Sequence, residues 1–543
     1  MKKHIIILIL YLLGVASKGQ NPYLPLWEHI PDGEPHLFED PDCPGKYRVY
    51  IYGSHDNLVT DYCGLDQVVW SAPVENLTDW RYDGVCFTST EDRNGTQLFV
   101  AKTDANGKRM NAKGLGDLLY APDIVEVVEH GKKVYYFTPN NQAKGRETMV
   151  CKGDRPDGPF KVCNWSADGH TTTGCFGFDP AIFQDDDGRV YGYWGFRRSY
   201  AAELDPKTMC SVKPGTEIVK DMVSGVAKGQ KGIFRFFEAS SVRKVKDKYV
   251  FIYSRFTEDG EFGLPTSNYN LAYAYSDHPL GPWTYGGTII DARGRDTDEQ
   301  GKAIVTGYNT GNTHGSIIEI NGQWYVFYHR HSGTDEFSRQ AMVAPIDVRV
   351  TKDGRVVISE GQVTSEGFRT KGLNPLNRTA AGWACHFTGP KPMANRFPRF
   401  FPTGSYPAAT RADAQWLNAS RSLNHPHTPM VNNTDGSTIG YKYFNFTELA
   451  KKGRATIDLH LKPSGISGDI IFMLDSPYKS RGGTEIGRLK LTGNEKQEAQ
   501  HLTADITGLK GKKGKHAFYM LFKSNIANQS LCDLYDFIFN TVP

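Results

Sequence analysis

Apolar and polar residues alternate with a period of two along most of this chain, and one form of the alternation repeats. A turn residue is followed closely by Tyr or Trp and then by alternating bulky residues: Gly45 to Tyr52, Gly131 to Phe137, Gly188 to Trp194, Asp247 to Tyr253 and Gly322 to Tyr328. The starts at 45, 131, 188, 247 and 322 are 86, 57, 59 and 75 residues apart. Period two sends successive side chains to opposite faces of a strand, and a Gly or Asp turn just ahead marks the second strand of a hairpin. After several copies comes a further turn, as in Asp157-Gly158-Pro159-Phe160 and Leu280-Gly281-Pro282-Trp283. Helical periodicity is nearly absent between the copies. Five units of about four strands each predict a five-bladed β-propeller over residues 20–365.

Each unit also carries one polar group isolated among apolar neighbours, at a near-constant distance ahead of its aromatic. Glu34 precedes Tyr47 by 13 residues, Asp123 precedes Tyr135 by 12 and Asp179 precedes Tyr191 by 12. Glu238 precedes Tyr249 by 11 and His314 precedes Tyr325 by 11. Equal positions in equal blades converge on the propeller axis, so four carboxylates and one imidazole are expected around a central cavity. Unpaired charges are costly to bury, and such a ring points to chemistry or to an ion. The plain alternative, capping strands or tying neighbouring blades together, applies most readily to Asp123.

Beyond residue 365 the repeat stops. Gly, Asn, Pro and Arg crowd Lys371 to Asn418, so 366–418 reads as a linker with long loops. Strands return at Thr438–Phe444, Ala455–Leu461, Asp469–Leu474, Ile486–Leu491 and Ala517–Phe522. Short strands at regular spacing predict a β-sandwich over 419–543, giving an all-β chain. Most of Tyr441, Tyr443 and Phe444 are expected in its core rather than on a ligand.

Composition narrows the function. With 543 residues the chain exceeds one ordinary domain; 39% hydrophobic and 23% charged residues exclude wholesale disorder. Lys2-Lys3, the apolar run Ile5 to Ala16 and Ser17-Lys18-Gly19-Gln20 form an export signal over 1–19, too short to span a bilayer that needs ~20 residues. A secreted or periplasmic location follows as an expectation. Losing Lys2, Lys3 and Lys18 would take the net charge from +3 to 0, and a neutral chain without a basic run is not expected to bind nucleic acid or an anionic membrane. Nine cysteines leave at least one unpaired. None forms a CxxC, which argues against thiolate zinc. Cys151 and Cys163 flank a turn and either pair or stay as buried thiols. Lys510 to Lys515 reads as a solvated loop.

Several short motifs resemble glycoside hydrolase family 43. They are Phe178-Asp179-Pro180-Ala181 with Asp185-Asp186-Asp187-Gly188, and Phe237-Glu238-Ala239-Ser240 running into Arg243-Lys244 and Tyr253-Ser254. Tyr120-Ala121-Pro122-Asp123, Asn312-Thr313-His314-Gly315-Ser316 and Tyr328-His329-Arg330 complete the set. The resemblance runs from about Asn21 to Val350, and the C-terminal part is similar to the carbohydrate-binding-module-like sandwich often attached to such enzymes. It implies an inverting glycosidase with a base from the first blade, a tuning carboxylate from the third and an acid from the fourth. Those roles fall on Glu34, Asp179 and Glu238. One carboxyl protonates the leaving oxygen while an ionised one activates water on the opposite face, the two standing ~6.5–9.5 Å apart.

One departure matters. The family usually has Asp before the first-blade Pro, whereas here Glu34 precedes Pro35 and Asp32 lies two residues earlier. Alternate residues on a strand share a face, so Asp32 is the alternative base. Asp123, His314 and Arg339, the last in Phe337-Ser338-Arg339-Gln340, are expected near the sugar. No cofactor is implied as required. A structural calcium on the axis would reach His314 through water, because that hard cation prefers oxygen. The implied reaction is removal of terminal pentose from plant polysaccharides or oligosaccharides, of α-L-arabinofuranosidase or β-xylosidase type. The alternatives are an exo-β-galactosidase or galactanase of the same family and a non-catalytic carbohydrate-binding propeller. The acid pair Asp179 and Glu238 speaks against the last, and the Arg-Asp-Pro motif of retaining fructan enzymes is absent.

Overall fold

The structure is a computed structural model and describes residues 20–57, 62–89, 91–95, 118–141, 145–223, 232–308, 311–331, 339–390, 408–409 and 429–542. The expected export signal, the residues Phe337-Ser338 and much of the expected linker lie outside the described residues.

Five antiparallel sheets follow one another along the chain in strictly sequential strand order. Blade I comprises Glu34–Glu39, Tyr47–Tyr52, Asp66–Pro73 and Arg81–Thr88. Blade II comprises Leu119–Glu129, Lys132–Asn141, Cys151–Gly153 and Lys161–Val162. Blade III comprises Ala181–Gln184, Val190–Trp194, Tyr200–Leu204 and Val219–Lys220. Blade IV comprises Phe236–Val245, Lys248–Arg255, Asn270–Ser276 and Thr284–Asp291. Blade V has three strands, Ser316–Ile320, Gln323–His331 and Arg339–Ile346. Every copy of the recurring aromatic pattern forms a second strand, as expected. Its alternating side chains fill the spaces between blades: Val49, Ile51 and Trp70 of blade I meet Phe327 and Val343 of blade V in one continuous apolar cluster.

The open edge of blade V is covered by the start of the described chain. The Tyr23 amide donates to the Ala341 carbonyl at 3.2 Å, and the Asn21 side chain donates to Val343 O at 2.6 Å and accepts from Val343 N–H at 3.0 Å. Residues 21–23 therefore close the ring and satisfy an edge that would otherwise invite pairing with another chain.

The C-terminal sheet curls into two halves. Thr438–Asn445, Lys515–Ser524, Ser467–Leu474 and Thr484–Thr492 form one; Gln500–Ile506, Ala455–Pro463, Cys532–Thr541 and Met430–Val431 form the other. The halves join through the single pair Gly487 and Ile506 and enclose Tyr441, Phe444, Phe472, Phe518, Phe537 and Phe539. Ala455–Pro463 alternates buried residues with half-buried or exposed ones, as a strand with one covered face must.

The expected boundary at residue 419 needs correction. Thr379–Ala380 pairs with the Cys532–Thr541 strand, and His386–Thr388 pairs with Thr438–Gly440. Strands of two and three residues leave no period-two run, so sequence alone reads them as loop. Tyr441 and Phe444 are core residues. Tyr443 instead faces the propeller, its hydroxyl donating to Gln362 Oε1 at 3.0 Å. Lys442 Nζ to Asp296 (2.8 Å), Lys515 Nζ to Glu366 (2.8 Å) and Arg330 Nη1 to the Cys385 carbonyl (2.6 Å) add to that interface. All nine cysteines are free, so Cys151 and Cys163 do not pair; the Cys163 thiol donates to Val150 O at 3.2 Å.

Candidate active site

Inner strands of neighbouring blades begin at one end of the axis, and the backbone there is bent to aim carboxylates inward. Asp32 (φ 60°), Asp179 (φ 49°) and Ala239 (φ 72°) are left-handed. Ala239 lies in a bulge where register shifts between Glu238 and Ser241. Such conformations cost ~1–3 kcal/mol each and gather at functional sites, and a bulge re-aims the neighbouring side chain. All three carboxylates are buried: Asp32 and Asp179 are 5% exposed and Glu238 6%.

Their environments drive them apart. Burial would raise Asp32, but the Arg339 guanidinium, with the charge of His314 adding to it, overrides burial and holds the carboxyl well below the usual range. Arg339 Nη1 lies 3.3 Å from Asp32 Oδ1, and the Ser54 hydroxyl donates to Oδ2 at 2.5 Å. Burial lowers the pKa of His329. Its Nδ1 accepts the Asp32 amide at 3.0 Å, and Nε2 faces Asn312 Oδ1 at 3.1 Å, as a neutral ring requires. Glu238 moves the opposite way: burial, then the charges of Asp179 and Asp32, push it well above the ordinary value. Asp179 is raised to about 7 by burial, with His314 opposing and Asp32 reinforcing. Asn140 Nδ2 donates to its Oδ1 at 3.0 Å.

Glu34 sits in a different layer. Its Oε2 accepts from Arg243 Nη2 at 2.7 Å and Ser241 Oγ at 3.2 Å, and Ser241 Oγ meets Ser316 Oγ at 2.7 Å. Arg243 and the two serine hydroxyls thus gather around one Glu34 oxygen. His314 bridges the layers, with Nε2 3.6 Å from Glu34 Oε1 and Nδ1 3.9 Å from Asp179 Oδ2. It is buried, yet Glu34, Asp179 and Asp32 raise its pKa.

Asp123 does not reach the cavity as a substrate ligand would. Its Oδ1 accepts from Ile124 N–H (2.8 Å) and faces His36 Nε2 (2.8 Å), while Oδ2 accepts from Ile182 N–H (2.9 Å), tying blade II to blade III. Arg339 is not directed at sugar hydroxyls either. Its Nε and Nη2 clasp Asp56 at 2.8 and 2.7 Å while Nη1 braces Asp32.

Donor atoms of Glu34, His36 and Asp123 lie within 4.8 Å of one another, but both Asp123 oxygens are already engaged. Glu34 Oε1 and both His314 nitrogens have no hydrogen-bond partner. That donor set fits a cation held by one carboxylate oxygen and otherwise by water.

Asp56, His329, Ser54 and Asn140 were not among the expected site residues. Ser54-His55-Asp56 lies one residue beyond the second strand of blade I, so a polar tripeptide at that end was the available signal. His55, wedged between Glu28 (3.1 Å) and Asp66 (2.9 Å), is pushed up to about 9 by those acids against its burial. Phe178, Phe196, Phe237 and Phe256 make a chain of ring contacts beside Glu238, with centroids 5.2, 5.2 and 4.7 Å apart, and Phe196 is 48% exposed. One carboxyl held low, another pushed up, and an exposed aromatic ring beside them suit acid–base cleavage at a sugar.

Comparison with known proteins agrees. Residues 35–355 match Glycosyl hydrolases family 43. A xylosidase/arabinosidase of Thermoclostridium stercorarium is 32% identical over 441 residues, 78% of this chain and 82% of that protein. A xylosidase/arabinosidase of Bacteroides ovatus is 27% identical over 381 residues, 64% of this chain and 99% of that protein. A solved family 43 arabinoxylan arabinofuranohydrolase of Bacillus subtilis is 20% identical and covers 98% of each chain, with a TM-score of 0.42.

Proposed function

This chain belongs to glycosyl hydrolase family 43, and on that premise we propose that it is an inverting, exo-acting pentosidase. Its substrates are terminal arabinofuranosyl or xylosyl residues of plant polysaccharides and their oligosaccharides. The observation that carries the reading is the opposed surroundings of two buried carboxyls: Arg339 braces Asp32 and holds its pKa down, while burial, Asp179 and Asp32 push Glu238 up. Glu238 gives its proton to the glycosidic oxygen as the C–O bond breaks. Asp32 takes a proton from the water that attacks the anomeric carbon from the other face. Asp179, by its charge, keeps the proton on Glu238 until it is needed.

The base is thus assigned to Asp32 rather than Glu34. Glu34 turns its Oε2 to Arg243 and Ser241, whereas Asp32 and Asp179 are the acids that act on Glu238. Exo action is supported by the burial of Asp32, Asp179 and Glu238 at one end of the axis. The pentose assignment is supported by the relatives in Thermoclostridium stercorarium and Bacteroides ovatus. Neither proton transfer calls for a cofactor. A structural calcium belongs at Glu34 Oε1, reaching His314 through water; it would supply positive charge on the axis and take no part in proton transfer. Export through residues 1–19 belongs to the same proposal, because polymeric substrates stay outside the cell.

A panel of aryl glycosides combined with proton NMR of the first-formed sugar tests this. Turnover of aryl α-L-arabinofuranoside or β-xyloside with an inverted first anomer is expected. Retention, early release of long oligosaccharides from polymer, or turnover of galactosides alone would overturn it.

A further inference from the structure

A cleft of about 1290 Å³ lies between the propeller and the sandwich, apart from the catalytic carboxylates. Its propeller wall comes from two segments, 259–265 and 298–305, and its other wall from the sandwich strands around Ile471, Met473 and Leu521. Both propeller segments emerge at the catalytic end of the axis. The second strand of blade IV runs up to Ser254, which pairs with Glu238, so the connection from 256 to 269 projects from that end. The connection from 292 to 315 enters the inner strand of blade V from the same side.

Between the two sites lie a ring contact and a smaller cavity that is mainly acidic, with Glu258, Asp259 and Glu261 in its wall. The Phe237 ring, next to Glu238, packs on Phe256 at 4.7 Å. A smaller cavity of about 480 Å³ follows, bordered by Ile233, Arg255 and Asp259, and Asp259 also lines the large cleft. Ile233 is 60% exposed, leaving an apolar surface along the way.

The lining chemistry selects the ligand. Five carboxylates face four cations, and some already pair, Arg488 with Asp469 at 3.3 Å and Lys479 with Glu485 at 2.9 Å. A balanced, internally paired surface attracts neither a phosphorylated nor an acidic chain. Tyr478, Leu264, Pro265 and Met473 supply apolar area among these polar groups. Sugar rings present one apolar face and a rim of hydroxyls, which such a lining complements.

We propose that the neutral backbone of the polysaccharide lies in this interdomain cleft while its terminal sugar occupies the catalytic pocket. This rests on the exo-glycosidase reading and deepens it by giving the sandwich a share in the substrate site.

The test uses the full chain with Tyr478→Ala and, as a cleft-filling variant, Ala303→Trp, each checked for an unchanged melting temperature. KM is measured on soluble arabinoxylan and on an aryl arabinofuranoside, which is too small to reach the cleft. The expected result is a rise of about three- to tenfold in polymer KM, as for loss of one ring contact, with the aryl KM unchanged. Polymer KM unchanged in both variants would overturn the proposal, and so would equal rises on both substrates. Retardation of the same proteins in arabinoxylan affinity gels needs no turnover. Should aryl pentosides prove inert, loss of retardation in both variants would uphold the cleft, and undiminished retardation would overturn it.

Discussion

Asp32 and Glu34 stand two residues apart at the entrance to one strand, yet they belong to different layers of the axis. Asp32 lies in the upper layer with Asp179 and Glu238, braced by Arg339, whose other donors hold Asp56. Glu34 lies below, clasped by Arg243 and by the paired hydroxyls of Ser241 and Ser316. Both layers are buried and rich in charge, and both draw on positions that recur from blade to blade. In the lower layer the charge of Glu34 is met by Arg243. In the upper layer Glu238 is pushed up by burial, Asp179 and Asp32, while Arg339 is paired with Asp32 and Asp56. Equal position around a repeat therefore sets proximity, while the partner of each carboxylate sets its role.

The largest effects should separate the two upper carboxylates. Glu238→Gln is expected to lose about 10²–10⁴-fold on natural glycosides but far less on a dinitrophenyl glycoside, whose leaving group needs no proton. Asp32→Asn should lose a similar factor on both, since water activation is needed whatever departs. Steady-state rates across a leaving-group series check this. Equal losses for Glu238→Gln on both substrates would remove it from the acid role.

The brace comes next. Replacing Arg339 by Gln together with Asp56→Asn, so that no buried acid is left unpaired, should move both limbs of the pH–rate profile upward. Asp32 must be ionised, so activity falls as pH drops through its pKa; without Arg339 that pKa rises. Glu238 must be protonated, and Arg339 also lowers its pKa, so the alkaline limb rises too. Unmoved limbs would break the link between brace and base.

Asp179→Asn has the opposite sign on one limb. Its charge is the second cause, after burial, of the raised Glu238 pKa. Without it the alkaline limb should shift to lower pH while the acid limb barely changes.

The smallest effect on catalysis belongs to the lower layer. Glu34→Gln keeps an acceptor for Arg243 but removes a buried charge, so a stability loss of about 1–3 kcal/mol is expected in denaturant melts, with kcat within about tenfold. A loss matching Asp32→Asn would erase the distinction between layers.

The sequence revealed the blades through their second strands because aromatic alternation is local. It did not reveal how the ring closes, since Asn21 meets Val343 across 322 residues without any strand pattern. Ring positions were legible as Glu34, Asp179, Glu238 and His314, but the one-in-five symmetry also picked Asp123, whose acceptors are filled by the Ile124 and Ile182 amides. Backbone donors leave no mark in a pattern of side chains. The choice between Asp32 and Glu34 stayed open for the same reason: the cation that distinguishes them, Arg339, is 307 residues from Asp32 and pairs only in three dimensions.

Azide rescue probes that choice most directly. A small anion can replace a deleted base carboxylate and attack the anomeric carbon itself. Asp32→Gly supplied with sodium azide and an activated aryl pentoside should regain turnover and yield the glycosyl azide of inverted configuration. Glu34→Gly should need no rescue and give only free sugar. Rescue of Glu34→Gly by azide, with Asp32→Gly left inert, would contradict the account.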